Sequence, residues 1–321
     1  MKVLIIGGGG LVGQKLAKSL AARGELRGQS IDSLVLADVV DPAQIEAPFA
    51  VETVTCDIAD PASVGSVIDE ETDVIYLLAA IVSGQAEEDM DLGYKINMMG
   101  TMNVLERCRE LGTKPVVVFT SSIAVYGGEV ADPIIDDSFL NPQTSYGAQK
   151  AIGELLLNDY SRKGIVDGRG FRLPTISVRP GKPNRAASSF MSSIIREPLN
   201  GQEAVCPVDP SFAHFYLSPR KCIENLIKGA EIPEEDLGQN RCMMMPGRTW
   251  TIGEIVEALR NVCGPEPEKL IRWEEQPDIL AIVKGWRYDI QPSKALKLGL
   301  TADESFEENI RYYLEDDKPN A

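Results

Sequence analysis

Short apolar runs recur through the first half of the chain, each closed by glycine, acidic or small polar residues. Lys2 to Ile6 comes first. Ser33 to Ala37 follows, ending at Asp38, then Val51 to Thr55, Asp73 to Leu77, Pro115 to Phe119 and Phe171 to Thr175. Runs of this length and composition predict strands. Between them the apolar positions take helical spacing: Leu11, Leu16 and Leu20; a stretch through Asn97 to Cys108; and Ile152, Leu155, Leu156 and Tyr160. Thr144 or Ser145 caps the last of these helices and Gly164 stops it. Strand and helix in alternation predict an α/β fold with a doubly wound parallel sheet. Farther on, Met243-Met244-Met245 before Pro246 reads as a buried strand, with methionine as core filling. Thr251 and Glu254 form a capping box that opens an amphipathic helix to Val262. Ser83-Gly84-Gln85 reads as a polar loop, and the tail Glu315 to Pro319 as a frayed charged end.

At 321 residues the chain is long for one simple core, so one large domain with a lobe, or two domains, is expected. The net charge of −16 argues against a nucleic-acid partner, because such a surface repels phosphate. It does not exclude an acidic small substrate, since one local arginine can dominate a pocket. No stretch has transmembrane length, and Val3-Leu4-Ile5-Ile6 runs into glycines, unlike a signal peptide. The expectation is therefore a cytoplasmic protein without a membrane partner. The six cysteines form no Cys-x-x-Cys pair, which predicts buried free thiols in a reducing compartment and no zinc. With a single histidine, His214, a His-based triad or metal site has little to work with. In its apolar context His214 reads as a packing residue more readily than as a catalyst.

The first apolar run leads into Gly7-Gly8-Gly9-Gly10-Leu11-Val12-Gly13 and then a helix, the context a dinucleotide fingerprint requires. Gly7 permits the tight turn, Gly10 lets a pyrophosphate approach the backbone, and Gly13 lets helix and strand pack closely. The helix start, with Leu11 and Val12, faces the negative charge. A flexible glycine turn is the alternative. Asp38 can accept hydrogen bonds from the ribose hydroxyls and would repel a 2′-phosphate, favouring NAD over NADP; a turn or cap aspartate is the bland reading. Asp57 and Ile58 could flank the adenine, and Leu78-Ala79-Ala80 leave room for a cofactor. Tyr146 and Lys150, four apart on a helix, share a face. An ammonium beside a phenol favours the phenolate. A phenol lowered from about 10 to about 7 would need roughly 4 kcal/mol and could accept a proton near neutral pH. The same pair on a solvated helix would do nothing.

Together these segments, with Asn97-x-x-Gly-Thr and Ser121-Ser122-Ile123-Ala124-Val125-Tyr126-Gly127, resemble the extended short-chain dehydrogenase/reductases, the NAD-dependent epimerase/dehydratase family. The likeness covers nearly the whole chain. It implies a Rossmann sheet carrying NAD, and a smaller mixed α/β substrate-binding lobe. Residues 1–178, with a return near 213–248, would form the first, and 179–212 with 249–321 the second. By the resemblance Ser122 hydrogen-bonds the reacting oxygen, Tyr146 is the acid/base, and Lys150 holds the nicotinamide ribose while tuning Tyr146. Pro174 closes the strand that meets the nicotinamide. Asn97 matches a proton-relay position, although a structural amide reads almost as well. A homodimer through helices near 94–110 and 146–161 is also implied.

Nucleotide-sugar members usually have asparagine where this chain has Thr175, which argues against a nucleotide-diphosphate substrate. Arg179, Lys182 and Arg185 form a cationic cluster in which a guanidinium could hold a carboxylate; surface charge or an internal ion pair is the alternative. Four further stretches resemble a narrower group that oxidises the C2 hydroxyl of four-carbon sugar acids with NAD. These are 80–87, 142–154, 178–184 and 204–209. In that case the partner is a small sugar acid, with Ser83, Ser122, Thr175, Arg179 and Arg185 as its contacts. The competing expectations are an epimerase or dehydratase of nucleotide sugars, and a non-enzymatic NAD sensor.

Overall fold

The six apolar runs and the methionine run line up side by side in a computed structural model of the chain, which describes residues 1–181 and 187–318. The strands are β1 (Lys2–Ile6), β2 (Ser33–Asp38), β3 (Ala50–Thr55), β4 (Thr72–Leu77), β5 (Val116–Ser122), β6 (Asp167–Leu173) and β7 (Cys242–Met244). All neighbours pair in parallel, in the order β7-β6-β5-β4-β1-β2-β3. The chain leaves β1 towards one edge and resumes at β4 on the other side. The crevice at that reversal, outside the carboxyl ends of the strands, is where such sheets bind ligands.

Successive strand residues point to opposite faces, and helices cover both. The main helices are α1 (Leu11–Arg23), α2 (Gly100–Leu111), α3 (Ser145–Arg162), α4 (Pro219–Glu231), α5 (Ile252–Cys263) and α6 (Phe306–Asp317). On one face Leu16 and Leu20 of α1, with Leu226 and Ile227 of α4, pack on Val3, Ile5, Leu34 and Leu36. On the other, Val104 and Leu105 of α2, with Leu157 of α3, pack on Leu4, Ile6, Val35 and Ile75. Each such side chain contributes about 1.5–3 kcal/mol by leaving water. A separate core joins Ile194, Ile195, Ile255, Leu259, Phe306 and Ile310 in the second half.

Some sequence expectations need correcting. The sixth strand ends at Leu173, because Pro174 has no N–H for the ladder. Thr175–Ile176 instead pairs with Ala213–Leu217, which also pairs with Arg248–Thr251, in a second, three-stranded sheet. Ser83 to Gln85 is not a loop but the first turn of a short helix, Ser83–Glu88. The stretch through Asn97 widens into a π-helical turn, Tyr94–Met99. The tail is held rather than frayed as far as Asp317, and Pro319 lies outside the described residues: α6 runs to Asp317, where Glu315 and Asp316 pair with Arg220, and Asp317 with Lys15. Thr251 and Glu254 do form the expected capping box. Five of the six cysteines are buried, Cys263 is half-buried, and all six are free thiols.

Candidate active site

The glycine turn after β1 is built by close approach. Gly7 has φ +98°, and a Cβ there would meet the Ala79 backbone nitrogen at 2.6 Å. A Cβ on Gly13 would sit 2.2 Å from the Gly7 carbonyl oxygen, so α1 rests directly on the turn. Gly10 differs, because its Cβ would meet only the Gly7 carbonyl oxygen, at 3.4 Å. The fold tolerates a side chain there. What needs Gly10 bare is the space above it, at the N-terminus of α1, where no side chain caps the N–H groups around Leu11 and Val12. That combination fits a pyrophosphate. At the end of β2 the Asp38 carboxylate accepts the Gly9 N–H at 2.9 Å, which fixes it beside the turn. Leu78 and Ala79 donate their N–H groups to the Ile6 carbonyl, at 2.8 and 2.9 Å, and Ala80 follows them. Asp57 accepts the Ala59 N–H at 2.9 Å. Ile58 is buried in the core against Gly100, so packing occupies the side chain expected beside the adenine. These groups line the carboxyl ends of β1 to β4 and fit NAD.

The reacting groups sit on β5 and α3. Ser122 is the last residue of β5. Thr144 caps α3 by accepting the Gly147 N–H at 3.1 Å. A Cβ on Gly147 would lie 2.2 Å from the Ala124 carbonyl oxygen. Only glycine lets α3 press onto the turn after Ser122, which sets the Tyr146 hydroxyl beside that of Ser122. Lys150, one turn on, is fully buried; its Nζ donates to the Thr120 carbonyl at 2.8 Å and lies 5.8 Å from the Tyr146 ring centre. The expected lowering of the phenol called on a cationic cofactor as well as on Lys150, and the chain by itself holds the phenol the other way. Burial pushes Tyr146 up to about 12, with the Ser122 hydrogen bond opposing. Burial pulls Lys150 down to about 8, with Glu154 opposing. In the chain alone the Lys150 ammonium is anchored on the Thr120 carbonyl, one helical turn from the phenol.

Asn97 is buried and its amide is spent on the protein. Its oxygen accepts the Ile81 N–H at 2.9 Å, and its nitrogen donates to the Ile81 carbonyl and the Gln149 side chain, at 3.3 and 2.8 Å. It thus ties the segment after β4 to the helix that carries Tyr146. Glu87 adds a second tie by accepting the Ser145 N–H at 2.9 Å, which holds the short helix opened by Ser83 against α3.

Sequence reasoning missed the support one turn beyond Lys150. Glu154 is 2% exposed and receives Arg172 through Nε and Nη2, at 2.9 and 2.6 Å. Ser121 donates to the same carboxylate at 2.5 Å, and Arg172 donates to the Tyr126 hydroxyl at 2.5 Å. The available signals were the repeat at 146, 150 and 154 and an arginine inside an apolar strand.

Pro174 is buried at the end of β6, and Thr175 beyond it is partly exposed. The Thr175 hydroxyl lies 2.8 Å from His214 Nε2. Arg179 is partly buried, contacts Ser188 through Nη2 at 3.4 Å, and pairs with no carboxylate among the described residues. Burial and the nearby Arg196 both lower its pKa, which leaves a cation in want of an anion. Arg185 lies outside the described residues. Among the described residues, no group of three or more His, Cys, Asp or Glu side chains could hold a metal ion.

Comparison with known proteins follows the same lines. Residues 3–210 match the NAD dependent epimerase/dehydratase family. D-erythronate dehydrogenase of Cupriavidus necator is 50% identical over 98% of this chain and 98% of its own. D-erythronate dehydrogenase of Haemophilus influenzae is 43% identical over 99% of this chain and 100% of its own. A crystal structure described as a nucleoside-diphosphate-sugar epimerase from Agrobacterium tumefaciens superposes with a TM-score of 0.96, at 47% identity. The match covers 100% of this chain and 95% of that one.

Proposed function

Because the chain belongs to the NAD dependent epimerase/dehydratase family, we propose that it is an NAD-dependent dehydrogenase of a small sugar acid. The reaction is oxidation of the C2 hydroxyl of D-erythronate to 2-dehydro-D-erythronate. The observation that carries this reading is the Ser122–Tyr146 hydroxyl pair at the sheet's carboxyl end in a chain whose full-length relatives are D-erythronate dehydrogenases. Bound NAD supplies the hydride acceptor. Gly7, Gly10, Leu11, Val12 and Gly13 would hold its pyrophosphate, and Asp38 its ribose. Asp57, Ile58, Leu78, Ala79, Ala80, Asn97 and Pro174 would shape the remainder of that cleft. Tyr146 takes the C2-hydroxyl proton, Ser122 donates to the same oxygen, and Lys150 supplies the positive charge that favours the phenolate. Arg179 binds the substrate carboxylate, with Ser83 and Thr175 reading hydroxyls and Arg185 as a second candidate cation.

The crystal structure described as a nucleoside-diphosphate-sugar epimerase favours a second reading, transient oxidation of a nucleotide sugar. Thr175 and Arg179, which has no carboxylate partner among the described residues, favour the acid. We further infer a homodimer through α2 and α3, supported by exposed Met99 and Leu155, and a cytoplasmic setting, which suits six free thiols.

The deciding assay is NADH formation at 340 nm with a panel of four-carbon sugar acids. Turnover on D-erythronate, much weaker with NADP, is the expected result. Silence across the panel, with a UDP-sugar raising the melting temperature, would transfer the assignment to the epimerase.

A further inference from the structure

We propose that His214 is a positioning residue for substrate recognition: its Nε2–H holds the Thr175 oxygen, so that the Thr175 hydroxyl proton is aimed at an oxygen of the bound sugar acid. This rests on the reading of the chain as a sugar-acid dehydrogenase. Thr175 stands two residues beyond Leu173, which pairs in register with Ser122, so it lies at the same end of the sheet as the reacting hydroxyls. Thr175–Ile176 pairs with the strand that carries His214, and Thr175 Oγ1 lies 2.8 Å from His214 Nε2.

The proton's place follows from what surrounds the ring. His214 is 2% exposed, with Phe212, Tyr216 and Trp286 ring centres at 6.4, 5.6 and 5.1 Å. Among the described residues its Nδ1 has no hydrogen-bond partner. A proton on Nδ1 would leave a buried N–H with no acceptor, whereas an unpaired lone pair costs less. The ring is therefore neutral with its proton on Nε2, and burial pulls it down to about 3, far from any physiological switch. An Nε2 donor occupies one lone pair of Thr175 and leaves the threonine's own O–H free. The residue then presents a donor, which suits a carboxylate or hydroxyl oxygen. An Nε2 acceptor would have taken that proton and left only lone pairs facing the substrate.

The chain has one histidine, so protein grown on ¹⁵N-histidine gives a single pair of ring-nitrogen signals. The Nε2–H tautomer is expected at pH 7; the Nδ1–H tautomer or the imidazolium would overturn the proposal. In the D-erythronate assay, Thr175→Val and His214→Phe should each lower kcat/KM about tenfold, with the NAD Kd changed less than about twofold. The double variant should be no worse than Thr175→Val alone, because the second change removes a group whose only task is already gone. His214→Gln, which keeps a donor near Nε2, should recover part of the loss. Full activity in either single variant, or losses that multiply in the double one, would overturn the pairing while leaving the enzyme's activity established. If His214→Phe does not fold, His214→Gln and the tautomer decide. No turnover by the unaltered protein would sink the sugar-acid reading, and the role of the pair with it.

Discussion

Tyr146 must accept a proton in a place that, in the chain alone, keeps it protonated, with burial holding the phenol up at about 12. The rate of oxidation should therefore rise with pH while the phenolate is the minor form, about tenfold per unit at most. Lys150 sets the other limb. Burial brings its ammonium down to about 8, so raising the pH above that value removes the charge that favours the phenolate, and the gain should flatten or reverse. A profile of kcat/KM against pH checks both limbs. Tyr146→Phe should reduce turnover by about a hundredfold or more with NAD affinity kept, and a retained acid limb in that variant would exclude Tyr146 as the base. Asp38 makes a separate claim about the cofactor. Its carboxylate is fixed by the Gly9 N–H, and a second negative charge about 4 Å away costs about 1 kcal/mol in water, or about 4 at an effective dielectric of 20. Asp38→Ser should move the NADP/NAD ratio of kcat/KM at least about fivefold towards NADP, measured with one substrate under both cofactors.

At the scale of elements, β5, α3 and β6 act as one unit because the Glu154–Arg172 pair joins them out of water. Both side chains are nearly unexposed and each has further hydrogen bonds. Removing one charge would strand the other. Glu154→Gln should cost about 3 kcal/mol or more, a fall in Tm of about 4 °C or more for a chain of this size. Replacing both members, as Glu154→Leu with Arg172→Met, should recover most of that loss; a single variant as stable as wild type would contradict this account. The pair also marks where local pattern stops being informative. The strands, α1 and α3 were legible because their apolar positions repeat at the period of the element. The Tyr146–Lys150 pair and the glycine turn could be proposed from their spacing, whereas Ser122 was named by the family resemblance alone. Arg172 was not legible, since a charge within an apolar strand carries no sign of the partner that buries it. Thr175 and His214 are 39 residues apart, and only strand pairing in the small sheet makes them neighbours. The helix at Ser83–Glu88 was hidden by its polar, glycine-containing start, because its support comes from the Glu87 tie to α3 rather than from propensity.

A molecule with a net charge of −16 repels its own copies over most of its surface, so a self-association face must be locally balanced. The outer sides of α2 and α3 meet that condition. Arg107 pairs with Glu110, Arg109 with Glu106, and both Arg162 and Lys163 reach Asp159, so these helices largely neutralise themselves. Apolar side chains stand on the same elements: Leu155 is 65% exposed on α3, and Met99, immediately before α2, is 45% exposed. Burying a leucine of that exposure contributes roughly 1–2 kcal/mol per copy, whereas burying a glutamate there would place an unpaired charge in the interface. Leu155 projects away from Tyr146 and Lys150, so changing it spares the reacting groups. Sedimentation of the wild-type chain at micromolar concentration should give twice 35.0 kDa, and Leu155→Glu should give the monomer with an unchanged circular dichroism spectrum. A wild-type monomer, or a dimer that survives the glutamate, would place any interface elsewhere.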